Sequence, residues 1–138
     1  MYEKNGDYAH AVRDYDEFTR LQPANAAAWN ARCRARATDD QQLREALADC
    51  NESLRLAPNI ADTINNRGFV YLKLGEFNKS IIEYDAALRL NPQHASAFYG
   101  RGLAKQKMGD GPGAEADFAA ARAINQAIAE EFVKRVIK

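Results

Sequence analysis

Residues 61–94 read ADTINNRGFVYLKLGEFNKSIIEYDAALRLNPQH, and this stretch decides the fold. Ile64, Gly68, Tyr71 and Leu74 fall on one face at helical spacing, which predicts a helix from Ala61 to Leu74. Gly75 breaks it, and Glu76 sits in the turn. A second helix is predicted from Phe77 to Leu90, presenting Phe77, Ser80, Ile81, Tyr84, Ala87, Leu88 and Leu90. Gly68 and Ser80 are small enough to let the two helices approach closely, and the aromatics fill the space around them.

The stretch closes on Leu90-Asn91-Pro92, as earlier stretches close on Leu21-Gln22-Pro23 and Leu56-Ala57-Pro58. The prolines recur with a period of ~34 residues, the mark of an array in which one helix-turn-helix unit is copied and stacked. Aligned on that period, a second copy presents Trp29, Cys33, Arg36, Ala46, Cys50, Ser53 and Pro58, with one extra residue in its turn around Thr38 to Gln42. A fourth presents Phe98, Gly102, Lys105, Gly109, Ala114, Phe118 and Ala121, with Gln126 where the proline would stand. Its Pro112 is tolerable only in the first turn of a helix. The first copy is legible only from its middle onward, through Tyr2, Gly6, Tyr8, Ala11, Tyr15, Phe18, Leu21 and Pro23. Met1 therefore reads as lying inside a repeat, as in a fragment of a longer protein.

These positions resemble the tetratricopeptide repeat (TPR) pattern: a large residue, a small one four later, an aromatic three after that, then alanine, aromatic, alanine and proline. In the third copy the places hold Ile64, Gly68, Tyr71, Ser80, Tyr84, Ala87 and Pro92. The resemblance implies an all-α fold, a right-handed superhelical solenoid of antiparallel helix pairs. The expected division is a partial repeat over 1–25, full repeats over 26–60, 61–94 and 95–126, and a C-terminal capping helix over 127–138. In that last segment Ile128, Phe132, Val133, Val136 and Ile137 fall to one side and Glu130, Glu131, Lys134 and Arg135 to the other. The rival reading of the segment is the first helix of another repeat. Nothing caps the other end, so Tyr8, Tyr15 and Phe18 are expected to be partly bare, inviting weak homodimerisation.

Composition narrows the function. The 138 residues carry 19 basic and 19 acidic side chains, without the basic footprint that nucleic-acid binding or attachment to an anionic membrane requires. No apolar run approaches the ~20 residues of a spanning helix, and no signal peptide is visible. Cys33 and Cys50 have no metal-ligand spacing and are read as packing thiols within one repeat; a bridge would require Cα atoms within about 7 Å. Read as reduced, they favour the cytoplasm, with periplasm or secretion left open by the truncated start. His10 and His94 lie far apart, and no phosphate loop, nucleophile motif or paired-carboxylate constellation is present. We therefore expect no catalytic, metal or cofactor site.

The resemblance further implies a concave groove lined by the first helix of each repeat, binding a peptide or a partner protein's surface without catalysis. Its candidate lining is Asn30 and Arg34 in the second copy, Asn65, Phe69, Leu72 and Lys73 in the third, and Tyr99, Leu103, Gln106 and Lys107 in the fourth. Amides there suit an extended peptide backbone, aromatics supply anchoring area, and a slightly basic groove favours acidic peptides. The five places at which some TPR proteins grip a chaperone's C-terminal carboxylate hold Asn30, Arg34, Asn66, Ser96 and Gly100; only Asn66 matches, so that role is disfavoured. Alternative roles are a structural or self-assembly spacer in a longer repeat protein, or an accessory domain of an enzyme or regulator lying upstream. Two further columns recur with the period: Arg32, Arg67 and Arg101, and Asp14, Asp49, Glu83 and Asp117. They are expected to form ion pairs between adjacent helices.

Overall fold

The computed structural model describes residues 8–136, and among them it is entirely helical. Eight α-helices follow in order: α1 (Tyr8–Leu21), α2 (Ala26–Thr38), α3 (Leu43–Leu56), α4 (Ala61–Leu74), α5 (Phe77–Leu90), α6 (Ala95–Lys107), α7 (Gly111–Ile124) and α8 (Ile128–Val136). A short 3-10 turn, Asp40–Gln42, takes up the extra residue of the second copy. Pro112 stands in the first turn of α7, where its missing N–H costs nothing.

The turns explain the period. Ala57 and Asn91 end α3 and α5 in extended conformation, φ/ψ −146/93° and −140/93°, as the residue before a proline prefers. Asn125 ends α7 in nearly the same conformation, −146/103°, although Gln126 follows it. There the Asn125 side chain accepts a hydrogen bond from Ala127 N at 3.0 Å, so an Asx turn does what proline does elsewhere. Within the hairpins, Gly75 and Gly109 take φ of 80° and 86°, the left-handed region open to glycine at a helix end.

α2 with α3, α4 with α5, and α6 with α7 form tightly packed hairpins, and each hairpin's first helix also packs on the second helix of the hairpin before it. The even-numbered helices touch their successors, α2 with α4 and α4 with α6. They form an inner row, and α1, α3, α5 and α7 an outer one. Small residues set the spacing: Ser80 Oγ donates to Gly68 O at 2.9 Å, and Ser53 Oγ to Ala26 O at 2.8 Å. Tyr84 is fully buried, its ring against Gly68 of its own hairpin and Gly100 of the next.

The arginine column meets the acid column at Asp49, Glu83 and Asp117, between the rows; on α1 it is Asp16, not Asp14, that meets an arginine. Arg32 grips Asp49 through Nε and Nη2 at 3.0 and 2.9 Å, Arg67 donates to Glu83 at 2.8 Å, and Arg101 grips Asp117 at 2.9 and 2.8 Å. Nη1 of each arginine reaches back to the preceding outer helix, to Asp16, Asn51 and Asp85 at 2.8, 3.1 and 2.8 Å. One side chain thus ties its own hairpin and the one before it. Lys105, which departs from the aromatic of the pattern, adds a second cation to Asp117 at 3.1 Å; Arg36, at the equivalent place, reaches Asp49 at 2.9 Å.

The cysteines correct the sequence reading. Cys33 and Cys50 are joined in a disulfide with Cα atoms 5.4 Å apart, and no cysteine among the described residues is free. The physical reason lies in the repeat. The two places they fill hold Gly68 and Tyr84 in the next hairpin and Gly102 and Phe118 in the one after, and both of those pairs are in contact. Where a glycine and an aromatic would touch, two short thiol side chains meet and bond. The argument for the cytoplasm from reduced thiols goes with this correction.

At the start of the array, Tyr15 packs on Ala11, Val12 and Ala35 and is half-buried, as is Phe18. The Tyr8 side chain lies outside the described residues.

Candidate functional site

The inner faces of α2, α4 and α6 bring the candidate groove residues side by side. Their upper band is polar. Asn66 Nδ2 donates to Asn30 Oδ1 at 2.8 Å, linking α4 to α2. Asn65 Nδ2 approaches Ser96 Oγ at 3.3 Å, linking α4 to α6. Asn65 is 4% exposed, and its Oδ1 is buried with no hydrogen-bond partner among the described residues. The His94 imidazole caps α6 by accepting from Ala97 N at 3.3 Å, which turns its Nε2–H toward Asp62 Oδ1 at 2.8 Å. Asp62 is thereby committed to the linker.

Below this band the lining is apolar and is not open. Phe69 is fully buried. Its ring meets that of Phe132 of α8 edge-on, centroids 5.6 Å apart at 81°. Phe132 also packs on Tyr99 at 5.1 Å, and Tyr99 on Phe118 at 4.9 Å. Leu72 and Leu103 border the same cluster, which runs back to the disulfide. The sequence reading set Tyr99 and Phe69 out as groove anchors and α8 as a cap on the array. α8 does cover the last repeat, lying more against its first helix, α6, than against α7, and its Phe132 also reaches Phe69 of α4, so the anchors are not bare. Where the first helices of the later hairpins, α4 and α6, pack more on the preceding outer helix than on the preceding inner one, α8 does the reverse.

The electrostatics differ from expectation as well. Lys73 lies over the Phe69 ring at 5.4 Å and is ion-paired with Asp40, so its charge is met within the fold. Arg34, Gln106 and Lys107 are exposed. The arginine column is absent from the groove and serves the hairpins. Burial would push the Asp117 carboxyl up, but hydrogen bonds from Arg101 and Lys105 outweigh it and hold it below its ordinary value. The Asp117 hydrogen bond likewise raises the Arg101 guanidinium, against the opposing effect of burial. No group of three or more potential metal ligands is present among the described residues, and no described helix is long and apolar enough to cross a membrane.

The contribution of α8 was missed at the sequence level. Its amphipathic pattern shows that one face must be covered but not by which surface. The Asp40–Lys73 pair was missed because Asp40 stands in the insertion, outside the repeat register.

Known proteins share this architecture. A family described as tetratricopeptide repeat matches residues 2–59, and one described as TPR repeat matches 68–109. The TPR repeat-containing thioredoxin TTL4 of Arabidopsis thaliana is 38% identical over 76 residues, 55% of this chain and 11% of that protein, so the chain spans only a small part of that relative. Among solved structures, TTC0263, a thermophilic TPR protein of Thermus thermophilus, superposes with a TM-score of 0.82 at 21% identity, over 97% of this chain and 74% of that one. MamA residues 41 to the end from Desulfovibrio magneticus RS-1 superpose with a TM-score of 0.76 at 21% identity, over 91% of this chain and 71% of that one. Paired helices at a period of ~34 residues, the repeat positions in contact as the pattern requires, and these matches together place the chain in the tetratricopeptide repeat family.

Proposed function

We propose that the chain is a non-catalytic protein-interaction module that receives a partner segment along the inner face of α2, α4 and α6. The observation that carries this reading is the amide band of the inner row, in which Asn66 to Asn30 and Asn65 to Ser96 link α2, α4 and α6 beside the aromatic cluster. Amides on such a face suit the backbone of a bound segment. Arg34 and Lys107, both exposed, would favour acidic residues at the segment's flanks.

The test is capture from lysate with the full-length protein as bait, against a bait carrying Arg34→Glu and Lys107→Glu. These exposed substitutions should leave the melting temperature unchanged. Partners recovered by the first bait and lost by the second would support the inner face. Identical recovered sets would reject it.

A further inference from the structure

We propose that α8 is a displaceable internal ligand of the inner face, and that the external partner is an amphipathic helix with an aliphatic and an aromatic residue four apart. This rests on the reading of the inner face as a binding surface. α8 displays the chemistry that the surface accepts. Ile128 and Phe132, one turn apart, are 5% and 2% exposed, and Phe132 joins Phe69 of α4 to Tyr99 of α6. That is the helix-in-groove mode, in which anchors at i and i+4 enter an apolar cleft.

The helix is built to leave. Its described part has nine residues, below the ~12–15 at which an isolated helix becomes stable in water, so it depends on its seat. Val133 is 48% exposed, and Glu130, Glu131 and Lys134 are exposed, so Ile128 and Phe132 supply the hold seen among the described side chains. Its attachment to α7 is slight, through the turn at Asn125, Gln126 and Ala127. The core pairs Gly68–Tyr84 and Gly102–Phe118 and the arginine ties do not involve α8, so those contacts persist when it swings out, while Phe69 and Tyr99 are uncovered. A short tether holds an internal ligand at an effective concentration of the order of mM. A competing helix must overcome that, and its apparent affinity falls by the fraction of molecules with an open groove.

The probe is a fluorescein-labelled peptide of residues 125–138 added to the full chain. Phe132→Ala removes the anchor. Glu131→Pro leaves the anchor but breaks the helix, removing the hydrogen bond from Glu131 N to Ala127 O. Hydrogen exchange across residues 128–136 reports whether α8 is released, and circular dichroism whether the repeats stay folded. Wild type should bind the peptide weakly and both variants about tenfold more tightly, as the tether's competition is removed; a peptide with Phe132 replaced by Ala should bind none of them. The proposal fails if released variants bind no better than wild type, if α8 stays seated in both, or if both unfold, which would make α8 part of the core. Partners captured from lysate without peptide binding would overturn the latch and keep the broader reading. Peptide binding with identical capture by both baits would do the reverse.

Discussion

Gly100 meets the ring of Tyr84 with no room for a β-carbon: a methyl group there would overlap the ring carbon Cζ and the hydroxyl oxygen. Tyr84 belongs to α5 and Gly100 to α6, so this contact sets how closely one hairpin docks on the last. Gly68, on the ring's other side, is less constrained, a β-carbon there lying 3.0 Å from Cε1. Gly100→Ala should cost about 1–3 kcal/mol from overpacking. Gly68→Ala should be nearly neutral, since helix propensity returns about 1 kcal/mol. Tyr84→Ala should cost about 3–5 kcal/mol. Urea unfolding curves of the three variants would test this ranking, and a Gly100→Ala protein as stable as wild type would refute the close contact.

Tyr99 is expected to behave differently from a bare groove residue. Because it packs on both Phe118 and Phe132, Tyr99→Ala should lose about 2 kcal/mol of stability, part of an aromatic truncation. It should also speed hydrogen exchange in residues 128–134, where a substitution at exposed Gln106 should not. Wild-type stability and exchange in Tyr99→Ala would show that α8 is held elsewhere.

The Cys33–Cys50 disulfide closes a loop with a sequence separation of 17. Loop-closure entropy gives such a bridge about 3 kcal/mol. Dithiothreitol should therefore lower the melting temperature of the wild type by roughly 10 °C or more, and a Cys33→Ala, Cys50→Ala double variant should melt low with or without it. Mass spectrometry after alkylation should find no reactive thiol in the native oxidised chain. Two alkylated cysteines in that chain would contradict the bond.

Acid should loosen the array through Asp117. Its folded pKa lies below its ordinary value of 3.8. A depressed carboxyl contributes stability that is complete above the unfolded pKa and is lost as pH falls through the folded one. Stability measured by urea unfolding should therefore decline as pH drops below about 4, and Asp117→Asn should flatten that decline. By contrast Asp85→Ala, at a carboxylate 41% exposed, should change stability by less than about 1 kcal/mol. An equally steep acid decline in Asp117→Asn would assign it to other groups.

The repeat register carried much of the site into view. Arg101 and Asp117 were legible as partners because both recur at fixed places, and a periodic sequence repeats its contacts. The disulfide was legible by the same logic, since Cys33 and Cys50 stand where glycine and aromatic touch in the neighbouring hairpins. Reading the two buried thiols as packing groups passed over it. Lys73 was read as a groove cation, but its charge is met by Asp40 from the one inserted turn, which the period cannot describe.

The sequence by itself determined the helices, their pairing and the inside of each hairpin, because those follow from contacts between residues close in the chain and repeated along it. α4 and α5 begin and end at the residues their apolar spacing and their glycine and proline stops indicate. Only the tertiary structure decided what covers Phe69. The seat of Phe132 depends on the direction in which α8 leaves a three-residue turn and on the curvature accumulated over three hairpins. Neither quantity is encoded in the pattern of any single repeat, so the sequence shows the capping helix but not that its Phe132 reaches across to Phe69.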